Sequence, residues 1–389
     1  GPRATGRARW AFVPFFVSTR SLGTVTPTRR RVIISANTVE SRERGHTVSR
    51  PEMDTDMTTM FNGRKGLVGA LMLAGLVAGC SDDRPAWADR NDRMVEQLNI
   101  AGRTRELPAV TVPLALVPGE AVEARALPTA TIAPGVVAAL AWGRGALLER
   151  VEMQPGAVYP EQTLAEELIV LVREGTATFT LDGKTVELAK GQLIYLTPGA
   201  KRTVIAGPGG WKAFEVYSPV RLDHLALAGQ NTTGAPPSFP DQGVTPSIEP
   251  GVVMNLNDIQ WTPLTNPDPA VSFRRSTGQA RLIWGRNAQI SLIRMDPGSE
   301  IANHRHPEDQ LTHTVRGSLQ QGVIDATFPA SGDAGHVLYL PGGMVHAAEL
   351  GPHGADQLDV FWPVRPDYVE RAVTQQALHD QVVARDARP

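Results

Sequence analysis

The sequence predicts an all-β protein in which one turn-rich sandwich or small barrel is repeated in tandem. Gly and Pro are abundant, 37 and 31 of 389 residues, and few stretches keep a helical period. Runs such as QISLIRM, QLTHTV, VLYL and QLDVFW are short, alternating and separated by Gly, Pro or Asp, which marks strands between turns. The chain also repeats itself. AWGRGALLERVEMQPGAVYP from Ala141 matches IWGRNAQISLIRMDPGSEIA from Ile283, pairing Trp142 with Trp284, Arg144 with Arg286 and Gly156 with Gly298, 142 residues apart. GQLIYLTPGAKR from Gly191 matches GHVLYLPGGMVH from Gly335, and EVYSPVRLDH from Glu215 matches DVFWPVRPDY from Asp359, each at an offset of 144. Solenoid repeats run about 20–50 residues, so a period this long means duplicated domains.

The front of the chain is set apart by charge. Residues 1–50 hold ten Arg against two Glu, which leaves about −10 for the remainder of a chain whose net charge is −2. An acidic remainder gives no footprint for nucleic acid. Residues 1–59 are read as a leader upstream of the folded protein, with the start at Met57 or Met60; a basic targeting arm is the alternative for the Arg-rich front. Residues 60–80 are read as a signal peptide: Arg64 and Lys65 precede an apolar run from Gly66 to Gly79. Such a run is too short for a bilayer, which needs about 20 residues, and suits a secretory h-region. It ends in Leu76-Val77-Ala78-Gly79-Cys80, which resembles the bacterial lipobox. That resemblance implies a lipidated Cys80, a periplasmic domain and a membrane contact through the lipid anchor alone, with Ser81 after the cysteine favouring the outer membrane. Cys80 is the only cysteine, so the exported domain must be stable without a disulfide. Changing Cys80→Ser is expected to leave the protein unlipidated; unchanged membrane fractionation of that variant would refute the assignment.

A polar tether is expected over 81–107, a first copy over 108–227 and a linker rich in Pro, Gly and Thr over 228–251. The second copy is expected over 252–370 and a tail over 371–389, with helical character beginning after Pro366 and Val369, Val373 and Leu378 near one stripe.

The second copy carries the chemistry. Gly298-x5-His304-x-His306-x3-Gln310-x6-Gly317 resembles the first cupin motif, with Gln where Glu is commoner, and Gly335-x5-Pro341-x-Gly343-x2-His346 resembles the second. The resemblance spans roughly 110–370. It implies a bicupin: two double-stranded β-helix (jelly-roll) cupin barrels in tandem, followed by the short C-terminal helix. On a strand, His304 and His306 would leave the same face, Gln310 would return to it after the Pro307-Glu308-Asp309 turn, and His346 would come from a distant strand. Three imidazoles and an amide oxygen suit one divalent first-row metal ion, Zn, Mn, Fe, Ni or Co, with open positions for substrate. The plainer alternative is a pair of surface histidines in a hairpin. His313 points to the opposite face, and His336 and His353 are expected in solvated turns.

The first copy has Gln162, Leu164, Leu168 and Arg202 at the corresponding positions, which cannot hold a cation. Glu166 and Glu167 are expected in a solvated turn. This copy either packs against the other or binds an anion through Arg202 and Arg221.

With no anionic ligand, the second copy's site favours polarisation of a bound oxygen over stabilising high-valent iron. The segment DVFWPVRPDY resembles the Asp-x-Phe-x-Pro-x-Arg-x-Asp segment of the small pectin-degradation cupins of KdgF type, which convert ring-form 4,5-unsaturated uronates into linear ketonised products. By that resemblance Asp359, Phe361 and Arg365 join the metal ligands as catalytic-site residues, and the partner is a small anionic sugar. The alternative for Arg365 is a structural pair with Asp367. An iron-dependent oxygenase or lyase on a small acid and a surface module that only binds sugar acids remain open, as does a homodimer.

Overall fold

The computed structural model describes residues 107–236, 243–264, 278–323, 326–333 and 335–386. The expected leader, the signal segment with Cys80 and the tether up to 106 lie outside them. Among the described residues no helix is long and apolar enough to cross a membrane.

Two antiparallel sheets form two jelly-roll barrels in tandem. The first contains β1 (Thr129–Ala133), β2 (Val136–Trp142), β3 (Leu147–Met153), β4 (Val158–Thr163) and β5 (Glu167–Leu181). It continues with β6 (Lys184–Ala189), β7 (Gln192–Leu196), β8 (Lys201–Ser218) and, from beyond the linker, β9 (Val253–Asn255). The second contains β10 (Thr262–Pro263), β11 (Gly278–Trp284), β12 (Gln289–Met295) and β13 (Glu300–His304). Its remaining strands are β14 (Asp309–Val323), β15 (Ala326–Ser331), β16 (Val337–Leu340) and β17 (His346–Trp362). The strand orders correspond: β2-β3-β8-β5-β7 in one and β11-β12-β17-β14 with β16 in the other. Long strands close each barrel by bending between two partners. The first part of β8 pairs with β4 and the second with β3, and β17 divides itself between β13 and β12 in the same way.

Alternation along the strands builds three apolar layers, because both faces of the central strands are buried. Leu168, Val170 and Val172 on β5 fill the first barrel, while Ile169 and Leu171 face the second. Leu311, Leu358, Val360 and Trp362 answer them across the interface, and Trp284, Ile293 and Met295 belong to the second barrel's own, smaller core. The repeated tryptophans pin the entry segments: Trp142 Nε1 donates to Pro113 O and Trp284 Nε1 to Thr245 O, each 2.9 Å.

The two barrels exchange edge segments. β9 pairs with β7 of the first sheet, although it lies in the part of the chain expected to belong to the second copy. Reciprocally, Val122 exchanges backbone hydrogen bonds with Val337 on β16. Each exchange covers a strand edge that would otherwise be open.

Two acidic side chains lock the interface. Glu167 accepts hydrogen bonds from the backbone N–H groups of Arg286, Asn287 and Ala288 at 2.7–2.9 Å and from Tyr195 Oη at 3.0 Å. Asp309, its counterpart, accepts from Tyr339 Oη and Gly342 N, each 2.8 Å, and from Arg144 N at 3.3 Å. The solvated turn expected for Glu166 and Glu167 fails for Glu167, which is 1% exposed, whereas Glu166 does lie in the bend before β5, 4.0 Å from Arg221.

Helices follow corresponding positions in each copy. α1 (Leu222–Leu227) was not expected, and α2 (Pro366–Asp386) begins at the proline after which the tail was read as helical. Tyr368, Val369 and Ala372 pack against the second barrel, whereas Val373 and Leu378 are 58% and 52% exposed and do not complete the expected stripe. His353 lies within β17 rather than in a turn, and is exposed.

Candidate metal centre

The second barrel gathers His304, His306 and His346 so that one ring nitrogen of each lies within 4.8 Å of the others. His304 ends β13 and is the direct cross-strand partner of His346 at the start of β17. His306 is not on a strand. It sits in the segment before β14, and backbone contacts place it: Gly343 N donates to His306 O at 2.8 Å. Gly342 permits this approach, because a Cβ there would stand 2.0 Å from Pro307 O.

Two of the rings are oriented as metal ligands usually are, with one nitrogen tied to backbone. His306 Nδ1 lies 2.9 Å from Glu308 O, and His346 Nδ1 lies 2.9 Å from Met344 O. Those carbonyls accept the ring protons. Burial first, then Arg365 for His306 and His304 for His346, pushes both rings well below the usual histidine range, so they are neutral. The Nε2 lone pairs then face inward, and His346 Nε2 is buried without a hydrogen-bond partner. A buried acceptor left unmatched costs free energy unless something electrophilic meets it.

Gln310 completes the constellation. Its Nε2 donates to Thr312 Oγ1 at 2.7 Å and to Asp359 Oδ2 at 2.9 Å, which fixes the amide so that Oε1 turns away from them. Oε1 then stands 3.0 Å from His306 Nε2, one lone pair against another. A cation bound by His306 and Gln310 would relieve that opposition. The donor set present fits a divalent ion bound by nitrogen and neutral oxygen.

Of the three residues assigned by resemblance, Asp359 and Phe361 line the same interior. Thr312 and Asp359 are cross-strand partners, as are Gln310 and Phe361. Burial pushes the Asp359 carboxyl up to about 7, and its Oδ1 is buried without a partner. The Phe361 ring meets His306 edge-on at 5.3 Å. Arg365 is close enough to influence His306, His346 and Asp359, but its Nε and Nη2 bind Asp367 at 3.1 and 2.8 Å. The pairing with Asp367 is thus present, and Arg365 also stacks over Tyr368 at 3.9 Å. Sequence reasoning missed Tyr368 and Asp309. Asp309 had a signal, since an acid stands at the same place in both copies. Tyr368 had none, because His224 occupies the matching position.

In the first barrel protein groups fill the corresponding space. Arg202 binds Glu215 through Nη1 and Nη2 at 2.9 and 2.8 Å, donates to Tyr217 Oη at 2.6 Å and lies over the Tyr159 ring. Although burial opposes it, Arg202 holds the Glu215 carboxyl below its usual range. Arg221 is engaged by Asp223 and Gln162, and His224 by Glu149. The anion site considered for Arg202 and Arg221 is therefore not present, since both cations are already matched. His313, facing away from the metal donors as expected, packs edge-on against Phe214 of the first barrel.

A family model for the AraC-like ligand binding domain matches residues 149–261, well under half of the chain. No curated protein matches. Among solved structures, a mutant of Bacillus subtilis oxalate decarboxylase is similar at 15% identity, over 66% of this chain and 80% of that one, with a TM-score of 0.46. The Lactobacillus farciminis oxalate decarboxylase formate complex is similar at 16% identity, over 66% and 90%, with a TM-score of 0.46. A cupin 2 conserved barrel domain protein from Leptotrichia buccalis is similar at 12% identity, over 64% and 99%, with a TM-score of 0.43. Likeness at this level says nothing of the reaction. The fold rests on the strand order, and the site on its own geometry.

Proposed function

We propose that the second barrel is a metal-dependent site acting on a small sugar acid, and that its reaction is the linearisation of 4,5-unsaturated uronates. The observation that carries this reading is the direct link between Asp359 and the metal donors through Gln310, in an interior shared with Phe361. A carboxyl there lies beside any sugar oxygen held at the donors, with Oδ1 available to take or give a proton. When bound, the ion supplies Lewis-acid polarisation of such an oxygen.

The chemistry is a balanced isomerisation. The anomeric hydroxyl loses its proton, the ring C1–O bond opens to an aldehyde, and the enol released at C5 becomes a ketone as C4 gains a proton. No oxidant or second substrate is needed. Asp359 can carry the proton from oxygen to carbon. Phe361 and Tyr368 meet edge-on at 5.6 Å and give this interior an aromatic wall. Arg365 presents a cation to the uronate carboxylate, although Asp367 already uses one edge of its guanidinium. By the lipobox alone, the site would act outside the cytoplasm on a membrane-anchored protein.

The test is to mix the purified protein, loaded in turn with each first-row divalent ion, with unsaturated galacturonate, glucuronate and mannuronate. The expected result is accelerated loss of the conjugated double-bond absorbance, with the linear keto product identified by NMR and no dependence on oxygen. Failure to accelerate the spontaneous reaction of every one of these sugars would remove the uronate assignment.

A further inference from the structure

We propose that Arg144 of the first barrel, acting through Asp309, is a positioning residue for the metal donors of the second. The inference rests on the metal reading of that site. Asp309 lies between His306 and Gln310 in the chain and is buried, yet its side chain points away from the donors into the interface. There Oδ1 accepts from Gly342 N at 2.8 Å, on the turn that leads to His346. Oδ2 accepts from Tyr339 Oη at 2.8 Å and from Arg144 N at 3.3 Å, and Arg144 Nε stands 3.5 Å away. A single carboxylate thus joins the segment bearing His306 and Gln310 to the segment bearing His346. Its facing cation comes from the other barrel.

The fit on the first barrel's side is tight. A Cβ at Gly143 would lie 2.7 Å from the Tyr339 ring, so the glycine lets the ring reach Asp309. The Arg144 side chain is 15% exposed, which leaves its attraction to Asp309 only partly screened by solvent. Removing it leaves a buried carboxylate with hydrogen-bond donors but no opposing charge. Rearrangement of Asp309 would then move ligands on both sides of it, and partners that orient metal ligands govern affinity.

The duplication supplies an internal control. Glu167 makes the equivalent clamp in the opposite direction, but it is flanked by Leu164 and Leu168, which have no donor atoms to place. The two clamps stabilise the same interface, and only one of them adjoins a ligand set. This gives the metal-free barrel a part in the chemistry of its neighbour.

The experiment measures Zn2+ affinity of the full-length protein by competition with a chromophoric chelator. Asp309→Asn is expected to weaken binding about 10–100-fold and Arg144→Ala about tenfold, the span seen when groups that orient metal ligands are removed. Arg144→Lys keeps the charge without the planar fork and should restore part of the loss. Glu167→Gln should lower the unfolding temperature while leaving Zn2+ affinity within about twofold of the unaltered protein, as expected of a site without shared partners. Gly143→Ala, which displaces Tyr339, gives a second variant should Arg144→Ala not fold, and it too should weaken binding. Unaltered affinity in Arg144→Ala would overturn the inference. So would an equal loss in Glu167→Gln, which would make affinity a report of general loosening. No Zn2+ uptake by the unaltered protein would remove the metal reading itself.

Discussion

Replacing Asp359 with asparagine is expected to leave the protein folded and metal-loaded while cutting turnover of its uronate substrate about 10²–10⁴-fold, the usual contribution of a positioned acid–base group. The substitution is close to isosteric. Asparagine's amide oxygen can still accept from Gln310 Nε2, so the amide that faces His306 stays in place. Burial already favours the neutral carboxyl, which is pushed up to about 7, so a neutral side chain costs the fold little. What the amide cannot do is carry a proton between oxygen and carbon. The measurements are turnover, metal content and unfolding temperature on the same preparation. Turnover equal to that of the unaltered protein, with metal and fold intact, would show that Asp359 takes no part in proton transfer.

The duplicated architecture was readable because repeated side chains do repeated jobs. Trp142 and Trp284 pin equivalent segments, and the offsets of 142 and 144 held through every block. His304, His306, Gln310 and His346 come together in the structure, although His306 arrives by a turn held to Gly343 and not by strand alternation. Long-range pairing was not readable. Nothing in residues 253–255 announces that they join the first sheet, because strand propensity does not name a partner strand. Glu167 and Asp309 look like ordinary turn acids until the fold brings their donors to them, the backbone of 286–288 for Glu167 and Arg144 N together with Tyr339 and Gly342 for Asp309. The first barrel's arginine shows the same limit. A lone Arg202 in sequence suggests an anion site, whereas in the fold Glu215, Tyr217 and Tyr159 already enclose it.

That arginine also bears on why only one barrel is assigned a metal. The guanidinium of Arg202 occupies the place held by His346 in the second copy, with Gln162 paired opposite it as His304 is opposite His346. A fully buried cation matched by Glu215 stands where a ligand would, and Leu164 and Leu168 offer no donor atoms at the positions matching His306 and Gln310. Breaking such a pair by removing one partner costs about 3–5 kcal/mol, because the other charge is left buried and unpaired.

If one barrel of the two is a metal centre, a count of bound ions decides it. The protein, exchanged against each first-row divalent ion and freed of loosely bound metal, is expected to retain one ion per chain by elemental analysis. His304→Ala combined with His346→Ala removes two of three converging imidazoles that strand pairing places side by side, and should reduce that content to background. The same preparation of Arg202→Ala or Gln162→Ala should keep its single ion, since those side chains belong to the other barrel. Two ions per chain, or one ion that survives the double histidine substitution, would show that the metal is not held by the second barrel's histidines alone.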